Sequence, residues 1–571
     1  MGRGRHSRHG RNSKHGSSRH KSRGHSQGQR SAQGKNYPQG QRSAQGKNYS
    51  QGKRRENYSR SPAGGKARSN YSKYRGQSRR YPQKTYNPDE PVDLKQIARN
   101  AMQKYGFTPD FTPEIMKKAN NLDGRIVEAQ KNIENLTHLL WSSIDNIDTE
   151  DLDQIEYCEK RNENIHIKVG IADVDAYVKK DSLLDRHAQK NTTSVYTGVQ
   201  IYPMFPDNLS KNLTSLPVHK DRLAIVAEFD VLPGGKVKPG KVYRALVKNK
   251  AKLVYEQVGA WLEAKGPIPK QIEGNKELES QILLQHEASI KLGKFRAKEG
   301  ALELQTMQTR AIVKNQKVLG LYVVEDDPAK RIIENFMIGA NGVISQMLEK
   351  SNRPTLQRVV KKPKYWREIV ELANKRKFRL PKLPDAIALS KFLDKERVEN
   401  PQTFPDLSLA IIKLLGPGEY VLYDKRNPIG HFCMAVTSYT HSTAPNRRYP
   451  DLIIQRLIKS LLEGSKSPYG REELKFLANR CTELEHSANR VERFVTKAEG
   501  AVLLSKHLGE TFDAIITGAS TKGVYARLEQ PPVEGKIVSD ASRIKIGQKV
   551  RVKLVNLNPY SGYIDFALAE S

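Results

Sequence analysis

Aliphatic residues are nearly missing from the first 86 positions, so nothing there has an apolar face to bury. From Val92 to Tyr105 apolar residues recur at helical spacing (Leu94, Ile97, Ala98, Ala101, Met102), with Asp93 placed to cap and Gly106-Phe107-Thr108-Pro109 to stop the helix. Thr112-Pro113-Glu114 predicts a second helix through Lys118, with a Thr N-cap and Pro at the first helical position. Ile126 to Leu140 predicts a third. A helix-turn-helix-like unit and a plain helical lead-in fit these residues equally. The period then changes to two. His166 to Asp173, Arg222 to Val231 and Val242 to Val247 predict strands, and Leu253 to Ala264 returns to helix. A hairpin is predicted over Ala311 to Glu325 around Asn315-Gln316-Lys317, then a long helix from Pro328 to Glu349, and loop and helix from Gln357 to Pro384. Gly418 to Thr440 predicts a second strand-rich patch, followed by helices over Arg448 to Glu463 and 471–508. The alternation is not regular βαβα, so the pattern predicts an α+β fold. In the last sixty residues five short apolar runs (Glu510–Thr517, Val524–Leu528, Gly535–Val538, Lys549–Leu557, Tyr563–Leu568) are separated by turn residues. That is the size of an OB-type barrel, a frequent single-strand binding module.

Length and charge divide the chain further. At 571 residues it exceeds one ordinary core and predicts three or four units. The net charge is +35, and residues 1–86 hold 23 Lys and Arg against one acid, Glu56. Within them a twelve-residue unit repeats almost unchanged, Ser26 to Tyr37 and Pro38 to Tyr49, with a decayed copy from Ser50 to Tyr58. The unit is too polar to offset its ordering entropy, so residues 1–88 are expected to be a disordered basic tail. Its Arg and Lys interleave with Tyr37, Tyr49, Tyr58, Tyr71, Tyr74 and Tyr81. Those side chains supply phosphate contact and base stacking together, as in disordered RNA-binding tails, although a passive linker has the same composition. The three cysteines (Cys158, Cys433, Cys481) are widely spaced, which favours a reducing compartment and argues against structural zinc. No run of 18 apolar residues and no secretory h-region occurs, so the expectation is a cytoplasmic protein without a membrane span.

The chemistry concentrates between Trp141 and Gln154. Five of the ten positions from Asp145 to Gln154 are carboxylates (Asp145, Asp148, Glu150, Asp151, Asp153). Hard oxygen ligands packed this closely suit Mg²⁺ or Mn²⁺. Three of them, Asp145, Asp151 and Asp153, have the spacing to hold two ions and hydrolyse a phosphodiester. A solvated turn or a Ca²⁺ site has a similar density of acids. An EF-hand is disfavoured, because its sixth position would be Glu150 instead of Gly and its third Ile147.

Residues Ser143 to Gln154 (SIDNIDTEDLDQ), followed by HIKVGIADVDAYV, TSVYTGVQIYPMFPDNLSKNLTSL and GHFCMAVTSYTHSTAPNRRYPDL in that order, resemble the RNase II/RNase R (RNB) family of exoribonucleases. The resemblance runs from about residue 138 to 570. It implies a short helical unit over 89–136, an RNB-type catalytic domain over 137–508 and a C-terminal S1/OB-fold β-barrel over 509–571. It further implies a processive, Mg²⁺-dependent 3′-to-5′ hydrolase of single-stranded RNA that works as a monomer and releases 5′-mononucleotides. By motif, Asp145, Asp151 and Asp153 match three of four active-site aspartates, and Gln154 stands where the fourth metal ligand would be. Arg447 matches the arginine on the scissile phosphate, and Tyr196 the aromatic that stacks on the 3′-terminal base. In the barrel, Tyr525, Lys522 and Arg527 are the implied RNA contacts.

Several positions depart from the family pattern. Gln154 removes one negative charge from the metal site, which leaves a catalytically impaired RNA-binding scaffold as the alternative, with Asp148 or Glu150 as candidate substitutes. Cys433, Ser442 and Asn446 differ from the usual residues near Arg447. Where a second aromatic would clamp the terminal base, near Gly300 to Leu304, only leucines occur. Lys522 replaces a customary barrel aromatic. The short stretch over 89–136, between the basic tail and the catalytic domain, cannot hold two cold-shock barrels.

Overall fold

The structure is a computed structural model that describes residues 86–87, 90–124, 133–305, 308–314, 317–324, 327–520, 523–541, 544 and 546–569. The basic repeats and Lys522 lie outside the described residues.

Two short helices come first, α1 (Leu94–Lys104) and α2 (Pro113–Asn120), and each is capped as its sequence predicts. Asp93 accepts from the Gln96 amide at 2.9 Å, and Thr112 accepts from the Ile115 amide at 3.4 Å. They bury their apolar faces in different places. Ala98, Ala101 and Met102 of α1 pack on Leu484, Ala488 and Val491, whereas Ile115 and Ala119 of α2 join the main core. The two helices are therefore built into the larger body.

The central sheet holds β1 (Glu134–Asn135), β2 (Trp141–Asp145), β3 (Gln154–Arg161), β4 (Asn164–Ala172), β7 (Asp221–Val231) and β8 (Val237–Val254). Its order is β1-β8-β2-β3-β4-β7, and β8 also pairs with β7, so the sheet curls back on itself. Between β4 and β7 lie α3 (Leu183–Asn191) and a small hairpin, β5 (Val195–Tyr196) with β6 (Ile201–Tyr202). Both sheet faces are covered. Trp141, Ile155, Val226 and Val247 form one apolar layer, and Ile144, Cys158, Ile167 and Val169 belong to the main core on the other.

Helices α4 (Tyr255–Leu262), α5 (Lys276–Lys298) and α6 (Pro328–Lys350) pack on that second face, with the hairpin β9 (Gln308–Lys314)–β10 (Lys317–Val324) between α5 and α6 in the chain. Strands β11 (Leu356–Val359) and β12 (Glu419–Leu422) pair antiparallel around α7 (Trp366–Lys375), α8 (Ala386–Glu399) and α9 (Phe404–Leu415), which enclose a core of their own. Then come α10 (Tyr449–Leu462) and the long α11 (Arg471–Leu503).

The C-terminal strands β13 (Thr511–Ser520), β14 (Gly523–Leu528), β15 (Glu534–Ile537), β16 (Lys549–Asn558) and β17 (Tyr563–Leu568) close into the expected barrel, in the order β13-β14-β15-β17-β16. Ile516, Leu528, Val552, Leu554 and Phe566 fill it. Gly535 is required there, because a Cβ would stand 2.4 Å from the Phe566 ring and 2.7 Å from the Ile564 carbonyl.

Two predicted elements are corrected. The helix expected over Ile126 to Leu140 does not exist from Ile133 onward, and 125–132 are outside the described residues. Glu134 and Asn135 form β1, after which the Asn135 side chain accepts from both the amide and the hydroxyl of Thr137. A polar side chain that captures the backbone in this way ends regular structure. The strand-rich patch over Gly418 to Thr440 is strand only in β12. Gly430 at φ 72° and Ala435 at φ 53° turn the remainder into loops. Among the described residues no helix is long and apolar enough to cross a membrane.

Candidate active site

The acidic stretch is a turn between two adjacent strands. Asp145 ends β2, Gln154 begins β3, and residues 146–153 connect the ends of these two interior strands. The loop is held at both ends. Lys252 on β8 donates to the carbonyls of Ile147 (3.3 Å) and Thr149. The Ser215 hydroxyl donates to the Glu150 carbonyl at 2.7 Å and accepts from the Leu152 amide at 2.9 Å. This anchoring sorts the five acids. Asp145 and Asp153 are buried and Asp151 is half-buried, whereas Asp148 is exposed and Glu150 pairs with Lys211 at the surface. The two candidate substitutes for a fourth acid are therefore solvent-exposed, and one of them is paired with a surface lysine.

Arg447 reaches this loop from 294 positions away. It lies in the turn before α10, and its Nε donates to Asp153 Oδ2 at 3.0 Å while the Asn446 amide donates to Oδ1 at 3.0 Å. The same turn positions Tyr196. The Ser194 amide and the Thr193 hydroxyl donate to the Arg447 carbonyl at 3.0 and 3.1 Å, and the Tyr449 amide donates to the Thr192 carbonyl. Tyr196, on β5, then donates its hydroxyl to Asp151 Oδ2 at 3.0 Å, and the residue remains 38% exposed. Asp151–Tyr196 and Asp153–Arg447 thus form two bonded pairs, linked through Thr193 and Ser194 to the Arg447 carbonyl.

The departures near Arg447 are locally matched. Asn446 exchanges hydrogen bonds with Thr214, and Ser442 donates both its amide and hydroxyl to Asn341 Oδ1, at 2.8 and 2.7 Å. Leu302 and Leu304 pack into the core of α7, α8 and α9, so no aromatic faces the site from that segment. Arg527 gives its guanidinium to Asp406 of α9 at 3.2 Å, which ties the barrel to the larger body and leaves it less available to RNA. The Tyr525 ring lies 5.5 Å beneath the Lys497 ammonium of α11.

Burial dominates the electrostatics of the acids. It pushes Asp145 up to about 6, against a Ser143 hydrogen bond and the charge of Lys252. It pushes Asp153 up to about 7, opposed chiefly by Arg447. Both groups bind protons more tightly folded than unfolded, so folding stability falls as pH rises from about 4 to about 7. Thermal denaturation in chelator should show the melting temperature dropping across that window. The Asp145→Asn/Asp153→Asn variant should lose part of the drop, and an unchanged drop would contradict this assignment.

Whether the site fits a divalent cation is decided by its donors. They are hard carboxylate oxygens, and Asp145 Oδ2 is buried with no hydrogen-bond partner among the described residues. As the side chains stand, no three His, Cys, Asp or Glu among the described residues converge on one point. Asp151 and Asp153 are engaged by Tyr196 and Arg447, so an ion would have to exchange with those partners. The donor chemistry fits a hard cation, and the side-chain rotamers need to change. The sequence pattern missed three neighbours of this site: Lys252, Tyr255 beside Asp145, and the buried Glu156.

Comparison with known proteins agrees with the architecture. Residues 133–464 match the RNB domain, and residues 510–569 match the RNase II-type exonuclease C-terminal S1 domain. Ribonuclease R of Thermotoga maritima is 28% identical over 84% of this chain and 71% of its own length. The fold is that of Mycoplasma genitalium RNase R in complex with ribose-methylated single-stranded RNA (TM-score 0.76, 23% identity, 84% of this chain and 78% of that one). It is shared more distantly with yeast Ssd1, a pseudonuclease (TM-score 0.61, 15% identity, 79% and 56%). With its RNB domain and C-terminal S1 barrel, the chain belongs to the RNB family of 3′-to-5′ exoribonucleases.

Proposed function

We propose that the chain hydrolyses single-stranded RNA processively from the 3′ end to 5′-mononucleotides, acting as a cytoplasmic monomer. Asp145, Asp151 and Asp153 would hold Mg²⁺, with Mn²⁺ as a substitute and Gln154 as a neutral oxygen donor. The observation that carries the reading is the meeting of two bonded pairs, Asp153–Arg447 and Asp151–Tyr196, assembled from three distant parts of the chain. Held by Asp145, Asp151 and Asp153, Mg²⁺ would supply Lewis-acid activation of water and neutralisation of phosphate charge. The protein supplies the rest. Arg447 presents a planar fork to the phosphoryl oxygens as they gain charge. The ring of Tyr196 offers a stacking surface for the terminal base within hydrogen-bond reach of Asp151. RNA would approach by way of the barrel at Tyr525 and Lys522, with the basic repeats adding salt-sensitive phosphate contacts.

The products test the chemistry. Uniformly labelled single-stranded RNA incubated with Mg²⁺ should give 5′-nucleoside monophosphates on thin-layer chromatography from the earliest times, alongside intact substrate. Nucleoside diphosphates or internal fragments would overturn the hydrolytic exonuclease reading. The neutral Gln154 favours a second reading, an impaired RNA-binding scaffold, under which the RNA stays intact.

A further inference from the structure

Beneath the acidic loop lies an acid that none of the interactions described above uses. Glu156 is the third residue of β3, fully buried, and neither of its carboxylate oxygens has a hydrogen-bond partner among the described residues. A carboxylate is costly to bury unless something neutralises it. Among the described residues the charged group that acts on it is another acid, Asp145, whose buried Oδ2 likewise has no partner there.

Its place on the strand gives the pair a direction. Gln154 and Glu156 are two residues apart on β3, so their side chains leave the same face, and their Cα atoms are about 7 Å apart. Gln154 stands at the loop end of the strand, so Glu156 lies one pleat further in. Across the sheet Glu156 is in register with Ser142 of β2. Tyr255, the first residue of α4, feels both acids. A cation between these two partnerless carboxylates would neutralise both, with a change of rotamer, since the acids do not converge on one point as they stand.

From this geometry we infer that Glu156 supplies the negative charge that Gln154 lacks, so that the divalent-cation site is completed by a buried acid on β3. The acid moves from the first residue of the strand to the third, and a longer Glu side chain covers part of the extra distance. This rests on the assignment of Asp145, Asp151 and Asp153 as cation ligands made above.

Mn²⁺ binding to the full chain, followed by the EPR signal of free Mn²⁺, tests the inference without reference to activity. Glu156→Gln keeps shape and removes charge, and should weaken Mn²⁺ binding about 10- to 100-fold. Adding Gln154→Asp to it should recover most of the loss by returning the charge to the strand's first residue. In chelator, Glu156→Gln should melt higher than wild type, because a partnerless acid has been removed. Should Glu156→Gln fold poorly, Glu156→Asp withdraws the carboxylate by one methylene and should also bind Mn²⁺ more weakly. If the wild type binds Mn²⁺ and the folded variants bind it equally well, Glu156 has no part in the site. If the wild type binds no Mn²⁺ at millimolar concentration, the cation site itself is wrong, and the role of Glu156 with it.

Discussion

Asp153→Asn will lower the rate of RNA hydrolysis by roughly 10²- to 10³-fold or more while leaving RNA binding nearly unchanged. The side chain is buried and accepts two hydrogen bonds, from the Asn446 amide and from Arg447 Nε. The asparagine oxygen still accepts from Asn446, so the turn before α10 should hold its shape. Its amide nitrogen is a donor and cannot accept from Arg447, so the guanidinium loses its anchor in the same step that removes a charge from the acid cluster. Single-turnover decay of labelled RNA, with affinity measured in parallel, separates these effects. A large loss of affinity at an unchanged cleavage rate would place Asp153 in RNA binding rather than in the chemistry.

Arg447→Ala should be nearly as damaging, at about 10²-fold in rate. Arg447→Lys should recover only part of it, because a point charge does not reproduce a planar fork. The substitution also acts on Asp153. Arg447 is the strongest influence opposing the effect of burial on that carboxyl, which already sits up at about 7. Without the guanidinium Asp153 binds its proton more tightly, so the acid limb of the pH–rate profile should move to higher pH in Arg447→Ala. Loss of rate with an unmoved acid limb would mean that Arg447 contacts RNA without controlling the carboxylate.

How much of this was legible depends on whether the signal was local. Carboxylate density marked the loop from Asp145 to Gln154, and turn residues marked the five barrel strands, because both signals lie within a few neighbouring residues. The caps Asp93 and Thr112 were readable for the same reason. Helix α5 was not, because its buried face mixes Leu278, Ile282 and Leu292 with Gln285 and Ser289, which blurs the apolar period. The stretch Leu136, Leu139, Leu140 has helical spacing, yet Asn135 bonds the backbone into a turn. Glu156 was hidden by the sheet itself. Ile155 and Tyr157 alternate with polar residues as they would in a half-exposed strand, but both faces of this sheet are covered, so the polar face is buried as well. The resemblance placed Arg447 and Tyr196 at the site. Their bonds to Asp153 and Asp151 depend on chain segments that meet only in the fold.

The central claim is that Asp145, Asp151, Asp153 and Arg447 form a working hydrolytic site despite Gln154. Its most direct test is the fate of 5′-labelled single-stranded RNA incubated with the full chain and Mg²⁺. A ladder shortening from the 3′ end to a short limit product, absent with Asp153→Asn, is the predicted result. RNA that remains full length with the wild type, while gel shifts show it bound, would contradict the account and leave an RNA-binding scaffold of the same fold.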